Sequence, residues 1–264
     1  MSYEQIRLEV KDRVGLVTLN RPERLNAWTY RMSAELTHAI EYCNEADSVG
    51  AMIITGEGKG FCAGADISDV FKAQLEGDNP AGRPEAGRVG EWVDLLRRSK
   101  PIIAAVNGAA VGLGMTLILP CDVIVASETA RFSMAFVKMG LVPELASSHF
   151  LVQRMGFGPA SELCLTGRLY TAREAREMRL VDHLVPHEQL AAKAMALARA
   201  MAANPTPQLR WVKELISENG SETDLARVQA REMARLNEAY ASPEHQEAVA
   251  AFLEKRDPVF HPSR

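Results

Sequence analysis

The sequence has no CxxC pair, no HExxH or comparable histidine spacing, and no apolar run long enough to cross a membrane. The first two absences predict that the protein holds no metal ion. Its four cysteines, Cys43, Cys62, Cys121 and Cys164, are scattered, which is typical of reduced thiols in the core of a cytoplasmic protein. The amino terminus also lacks the basic-then-apolar pattern of a secretion signal.

Basic residues are in the minority, since 30 Lys and Arg against 34 Asp and Glu give a formal net charge of −4. This balance argues against a general nucleic-acid binder. The pattern is mixed helix and strand over residues 1–200, which predicts a core that carries the site. Residues 201–264 are predicted to be helical and to serve oligomerisation, although a helical cap on the chain's own core fits equally well. The segment 77–90, rich in glycine, proline and charge, is predicted to be a loop over a site.

Two glycine-rich passages have features typical of a catalytic site. The β-branched run from Ile102 to Val106 predicts a buried strand, and Gly112-Leu113-Gly114 leads from it into an apolar helix from about Met115 to Leu119. Backbone N–H groups at such a corner have no partner in the helix and can bind developing negative charge on an oxygen. The other passage, residues 56–67, follows another predicted strand. Taken alone it is either a flexible turn or a place where the backbone approaches a ligand closely.

Glu144 is a lone acid in an apolar stretch, directly after Pro143. The pattern predicts a helix from Leu145 to Met155 with Pro143 in its first turn. An acid at that place is stabilised by the helix dipole by about 0.3–1 kcal/mol whether or not it is catalytic. An oxyanion corner and a single carboxylate would nevertheless suit proton transfer beside a carbonyl group.

Six segments, in this order and at this spacing, make the chain resemble the crotonase, or enoyl-CoA hydratase/isomerase, superfamily. They are LNRPERLNA, GKGFCAGADI, PIIAAVNGAAVGLG, CDVIVASETARF, LTGRLYTAREAREMRLVDHLV and AFLEKRDPVF. The resemblance implies an α/β fold, a spiral of ββα repeats, with C-terminal helices that form a homotrimer or a dimer of trimers. It also implies an acyl-CoA thioester substrate, with coenzyme A as part of the substrate and no separate cofactor.

The resemblance implies a set of site residues as well. The backbone N–H groups of Ala65 and Leu113 match the family's oxyanion hole. Coenzyme A contacts match two loops of the core and a C-terminal segment that reaches a neighbouring subunit's coenzyme A, namely Arg24, Asn26, Ala27, Ala63, Asp66, Ile67, Phe252 and Lys255. Candidates for the acyl pocket are Thr116, Met134, Phe136 and Met139.

The sequence departs from the family's hydratases at both of their glutamates, where it has Thr116 and Phe136. Neither side chain can exchange a proton with a substrate near neutral pH, so ordinary hydratase activity is not expected. Glu144, ahead of Ser147-Ser148, is similar to the sole acid/base of the peroxisomal-type Δ3,Δ2-enoyl-CoA isomerases. The resemblance therefore predicts such an isomerase with Glu144 as its catalytic residue. Slow hydration, thioester hydrolysis and a non-catalytic acyl-CoA-binding trimer are the alternatives.

Overall fold

The structure is a computed structural model that describes residues 3–72, 77 and 91–261. The predicted loop over residues 77–90 lies outside these ranges apart from Gly77. The described chain forms a six-stranded and a four-stranded sheet. The strands are β1 (Ile6–Lys11), β2 (Val14–Leu19), β3 (Ala51–Gly56), β4 (Gly60–Cys62), β5 (Ile102–Val106), β6 (Ala109–Val111), β7 (Val123–Ser127), β8 (Arg131–Ser133), β9 (Tyr170–Thr171) and β10 (His183–Val185).

The chain passes repeatedly from one sheet to the other. After the antiparallel hairpin β1–β2, strands β2, β3, β5, β7 and β10 lie parallel in the larger sheet. Strands β4, β6 and β8 lie parallel in the smaller sheet, and antiparallel β9 closes its edge. Three times a strand of the larger sheet is followed directly by a strand of the smaller one: β3 by β4, β5 by β6 and β7 by β8. This winding confirms the predicted α/β spiral.

The helices begin and end at recognisable signals. Thr29 caps the first of them by accepting a hydrogen bond from the N–H of Met32, and Thr171 with Glu174 forms the capping box that its spacing predicts. No helix among the described residues is both long enough and apolar enough to cross a membrane. The α-helices are α1 (Tyr30–Glu45), α2 (Trp92–Arg98), α3 (Leu113–Thr116), α4 (Ser147–Met155), α5 (Phe157–Thr166), α6 (Ala172–Glu177), α7 (Leu190–Ala202), α8 (Thr206–Asn219), α9 (Leu225–Tyr240) and α10 (Pro243–Glu254).

The larger sheet is buried on both faces, as parallel sheets usually are. Alanine-rich α7 packs against one face, where Ala194 and Ala198 lie close to Ile53 and Ile103. The other face belongs to the main core, to which α1 contributes an apolar stripe. Every residue of β5 is buried. This packing fixes the ends of β3 and β5, from which the chain passes directly into β4 and β6 of the smaller sheet.

Apolar side chains are exposed along the helices that follow residue 205. The exposed fraction is 64% for Ile216, 77% for Leu225 and 83% for Phe252. Further exposed apolar side chains on α8, α9 and α10 are Val212, Met233, Leu236, Tyr240, Val249 and Leu253. Apolar surface of this extent is typical of faces that a partner covers.

Candidate active site

The first glycine corner, at Gly64 after β4, and the second, at Gly112–Gly114 after β6, lie side by side because β4 and β6 are parallel neighbours. The carboxyl ends of these strands, at Cys62 and Val111, therefore meet at the same edge of the smaller sheet. A Cβ atom on Gly114 would lie 2.1 Å from the carbonyl oxygen of Cys62, far inside van der Waals contact. A Cβ atom on Gly64 would lie 3.2 Å from the carbonyl oxygen of Val111. Glycine at these places lets the two backbones touch.

The N–H groups of Ala65 and Leu113 have no hydrogen-bond acceptor among the described residues. Their neighbours are engaged, since the Trp28 N–H donates to the Gly64 oxygen and the Asp66 N–H donates to the Trp28 oxygen, both at 2.8 Å. The bridge between Trp28 and Ala65 thus fixes the first corner without using the Ala65 N–H. The two unpaired donors are those that the family resemblance assigns to an oxyanion hole.

Glu144 reaches the second corner through Thr116. The hydroxyl Oγ1 of Thr116 donates to Glu144 Oε1 at 2.5 Å, and it lies 3.0 Å from the carbonyl oxygen of Leu113. Burial of the half-buried Glu144 carboxyl raises its pKa, and hydrogen bonds from Thr116 and from the Glu144 backbone N–H lower the pKa part of the way back. The outcome is a carboxyl group beside the glycine corner with a pKa above the ordinary glutamate value.

The prediction of a helix beginning at Leu145 is wrong. Helix α4 begins at Ser147, because Leu145 (φ 55°) and Ala146 (φ 53°) adopt the left-handed conformation. Pro143 is therefore not in the first turn, and Glu144 precedes the helix, its carbonyl oxygen accepting from the Ser147 N–H at 3.1 Å. Non-glycine residues in this conformation cost about 1–3 kcal/mol each, and such costs cluster at functional sites. Glu144 is therefore not an acid in the first turn of a helix, and the helix dipole in a first turn does not explain its presence.

The predicted acyl-pocket residues differ in burial. Phe136 is 8% exposed, and its ring comes within 3.9 Å of the place that a Cβ atom on Gly112 would take. Met134 and Thr116 are completely buried, whereas Met139 is 58% exposed. An apolar ring therefore lies next to the glycine corner, at the position that the resemblance matches to a glutamate of the family's hydratases.

The side chain of Asn26, a predicted coenzyme A contact, is used within the chain, so a contact at this residue would involve its backbone. Asn26 is completely buried, and its Oδ1 accepts from the Arg21 N–H at 2.8 Å. Its Nδ2 donates to the carbonyl oxygens of Glu57 and Gly60, both at 2.9 Å. The side chain of Asn26 holds the loop against the turn between β3 and β4.

The other residues predicted to bind coenzyme A in the core lie on two joined segments. The Ala63 N–H donates to the Leu25 oxygen at 3.1 Å, which ties the loop of Arg24 and Ala27 to the first corner. Arg24 is exposed, Ala27 and Ala63 are half-buried, and Ile67 is 65% exposed.

Asp66 forms an ion pair with Arg21, whose Nη2 lies 3.1 Å from Asp66 Oδ2. Burial alone would raise the pKa of Asp66, but the hydrogen bonds from Arg21 and from nearby backbone N–H groups lower it below its usual value. Sequence reasoning missed Arg21 as the partner. The signal in the sequence was Arg21 itself, which is in the same loop as Arg24. The resemblance already assigns a role to the acid Asp66, and an acid of this kind calls for a basic partner.

Phe252 and Lys255 lie at the end of α10, and both are exposed. Both are thus accessible to a second subunit, which is where the resemblance expects them to act. Their role stays a prediction.

A cavity of about 1000 Å³ lies elsewhere, between the end of α1 and the start of α8. Arg13 lines the cavity and lies immediately before β2, whereas the loop of Arg24 follows the other end of β2. The cavity and the predicted coenzyme A loop are therefore at opposite ends of that strand. Lys100 lines the cavity as well, and its Nζ donates to the carbonyl oxygens of Cys43 and Ala46 at 2.9 and 2.8 Å. No predicted site residue lines this cavity.

Known proteins resemble this chain over nearly its whole length. The model of the enoyl-CoA hydratase/isomerase family matches residues 9–263. The 1,2-epoxyphenylacetyl-CoA isomerase of Escherichia coli is 38% identical, covering 97% of this chain and 98% of its own. The 2,3-dehydroadipyl-CoA hydratase of the same bacterium is 33% identical, covering 95% and 96%. The crystal structure of an enoyl-CoA hydratase from Polaromonas superposes with a TM-score of 0.87 at 31% identity, covering 96% and 98%.

Proposed function

The chain belongs to the enoyl-CoA hydratase/isomerase family of the crotonase superfamily, and from this premise we propose that it is a Δ3,Δ2-enoyl-CoA isomerase with Glu144 as its acid and base. The single observation that supports the choice most is the carboxyl group of Glu144 beside the second glycine corner, where the Leu113 N–H has no acceptor in the part of the chain that the structure describes. The reaction moves a double bond from position 3 of the acyl chain to position 2.

In the proposed reaction, the N–H groups of Ala65 and Leu113 polarise the thioester carbonyl. The C2–H bond then breaks, its proton binds to the Glu144 carboxylate, and its electron pair moves toward the thioester oxygen. The resulting dienolate carries negative charge at C2 and C4, so the same carboxyl group can return the proton at C4. Backbone donors that are already oriented stabilise this charge without reorganising, and losing one such donor typically lowers the rate by about 10²–10³-fold.

Hydration of a 2-enoyl-CoA, or hydrolysis of the thioester, is the second candidate. It is favoured by the names of several relatives, among them the hydratase of E. coli, which is 33% identical. In this reaction Glu144 would deprotonate water instead of C2. The residues Phe136 and Thr116 argue against hydration, because neither supplies the second acid/base group that family hydratases have. A non-catalytic acyl-CoA-binding trimer is opposed by the two unpaired N–H donors.

One assay separates these candidates. Purified protein is incubated separately with a 3-enoyl-CoA and a 2-enoyl-CoA, and the products are identified by chromatography and mass. Isomerisation conserves mass, hydration adds one water, and hydrolysis releases free coenzyme A. We expect the 3-enoyl-CoA to give the 2-enoyl-CoA. A product that gained water from the 2-enoyl-CoA, with no isomerisation, would support the second candidate, and no product at all would support the binding protein.

The pH dependence of isomerisation should report the raised pKa of Glu144. The base must be ionised to remove the C2 proton, so kcat/KM should rise with pH through a pKa above the ordinary glutamate value of 4.5. The measurement is kcat/KM for a 3-enoyl-CoA across the acid range, with protein integrity verified by circular dichroism at each pH. If kcat/KM instead rose through a pKa at or below 4.5, the base would not be a glutamate whose pKa is raised by burial.

We also predict that the protein is a trimer or a dimer of trimers, assembled through the helices that follow residue 200. The exposed apolar side chains on α8, α9 and α10, with Phe252 at 83%, support this expectation. Sedimentation equilibrium of the full-length chain at micromolar concentration should give three or six times the chain mass of 29.0 kDa. A monomer under these conditions would rule the prediction out.

A further inference from the structure

The hydroxyl of Thr116 lies between two acceptors in a closed environment. Its Oγ1 is 2.5 Å from Glu144 Oε1 and 3.0 Å from the carbonyl oxygen of Leu113, and the residue is completely buried. A threonine hydroxyl carries one proton, so it can donate to only one of these oxygens at a time. An ionised carboxylate is the stronger acceptor, so the proton is directed to Glu144 when that group is a base.

The second corner fixes the position of this hydroxyl. The Thr116 N–H donates to the Gly112 oxygen at 3.0 Å, which closes the turn that α3 makes. Gly114, in the same turn, lies directly against the backbone of Cys62. Thr116 is therefore held by the same element that carries the unpaired N–H of Leu113. It keeps one carboxyl oxygen of Glu144 at a set place relative to that donor.

We propose, on the basis of the proposed isomerase function, that Thr116 is a positioning residue that assigns different roles to the two oxygens of the Glu144 carboxyl group. Its hydrogen bond occupies Oε1 and leaves Oε2 to carry the proton. In the first half-reaction the C2–H bond breaks and an Oε2–H bond forms. In the second half-reaction the Oε2–H bond breaks and a C4–H bond forms.

Thr116 keeps its own proton throughout this sequence. When Glu144 is ionised, Oε1 accepts the hydrogen bond as part of the carboxylate, and when Oε2 is protonated, Oε1 accepts it as a carbonyl oxygen. The carboxyl group therefore does not rotate between the two half-reactions. The proton leaves from the same oxygen that received it, on the side that faces the substrate.

Two substitutions separate the hydroxyl from the shape of the side chain. Thr116→Val keeps the branched shape and removes the hydrogen bond, whereas Thr116→Ser keeps the hydroxyl and removes a methyl group. We expect Thr116→Val to lower kcat by about 10–100-fold, as loss of a hydrogen bond to a charged group does, with KM little changed. The acid limb of its pH profile should move to higher pH, because the bond that lowers the pKa of Glu144 is gone. The acid limb of the pH profile of Thr116→Ser should stay at the same pH as in the wild type.

A titration that does not depend on turnover completes the test. The carboxyl absorption of Glu144 is isolated by infrared difference spectroscopy against Glu144→Gln, and its pH midpoint is compared in wild type, Thr116→Val and Thr116→Ser. An upward shift in Thr116→Val alone supports the proposal. Equal midpoints in all three proteins, or equal shifts in both variants, would overturn it. A wild-type protein that converts no enoyl-CoA would overturn the isomerase function, while the midpoints would still decide whether Thr116 positions the carboxyl group.

Discussion

Glu144→Gln is expected to lower the turnover of a 3-enoyl-CoA by about 10²–10⁴-fold, the usual contribution of a general acid and base. Glutamine has nearly the same shape and retains an Oε1 that can accept from Thr116, so the surroundings of the site should be preserved. The residues predicted to bind coenzyme A do not include Glu144, so the affinity for acyl-CoA should be nearly unchanged. The measurements are steady-state turnover and the dissociation constant of a saturated acyl-CoA.

Glu128→Gln is the matched control for this change. Glu128 is an exposed glutamate directly after β7, and the substitution removes the same charge away from the glycine corners. It should leave turnover unchanged. If Glu144→Gln retained activity within about tenfold of wild type, a barrier change of only about 1.4 kcal/mol, another group would carry the proton.

Gly114→Ala should have the second large effect, because a Cβ atom there would meet the Cys62 carbonyl oxygen at 2.1 Å. The nearest atom belongs to the backbone, so relief requires the two glycine corners to separate. We expect the free energy of unfolding to fall by about 1–3 kcal/mol or more, as overpacking in a rigid core does. Turnover should fall by about 10²–10³-fold, because one oxyanion donor then moves out of reach.

Gly158→Ala provides the comparison for this experiment. Gly158 is in α5, and a Cβ atom there would meet no atom within 4 Å apart from its chain neighbours and the backbone of its own helix. Alanine should leave turnover unchanged and raise the free energy of unfolding by up to about 1 kcal/mol, since glycine in a helix loses more conformational entropy on folding. Both variants are measured by chemical denaturation and by steady-state kinetics. If Gly114→Ala and Gly158→Ala had the same free energy of unfolding and the same turnover, the two corners would not be in close contact.

Much of the fold could be predicted from local patterns. The strand from Ile102 to Val106 is apolar throughout and is buried throughout, and the capping box of Thr171 and Glu174 forms as its spacing predicts. Two helix boundaries of the C-terminal region coincide with Asn204-Pro205 and Ser242-Pro243, where a proline marks the start of the next helix. These features depend on neighbours in the sequence, so the sequence carries them directly.

The features that local patterns do not reveal depend on distant contacts. Leu145 and Ala146 have no local reason to adopt positive φ, so the pattern there favoured a helix. Asn26 lies in a polar segment that is typical of an exposed loop. Its side chain is nevertheless buried, because it donates to the carbonyl oxygens of Glu57 and Gly60, more than 30 positions away in the sequence. The contact of Thr116 with Glu144 likewise joins residues 28 positions apart. Tertiary packing decides such contacts, and one sequence without its fold does not display them.

The two unpaired N–H groups at the glycine corners belong to the main chain, so replacing the side chain of Ala65 or Leu113 leaves the donors themselves in place. Any descendant of this sequence that keeps the corners keeps both donors, which stabilise an enolate in the proposed function. In that proposal the choice of reaction depends on a few side chains around the corners, here at positions 116, 136 and 144. Evolution can exchange those few without rebuilding the scaffold. Relatives that bear isomerase and hydratase names can therefore lie at similar distances from this chain, 38% and 33% identical.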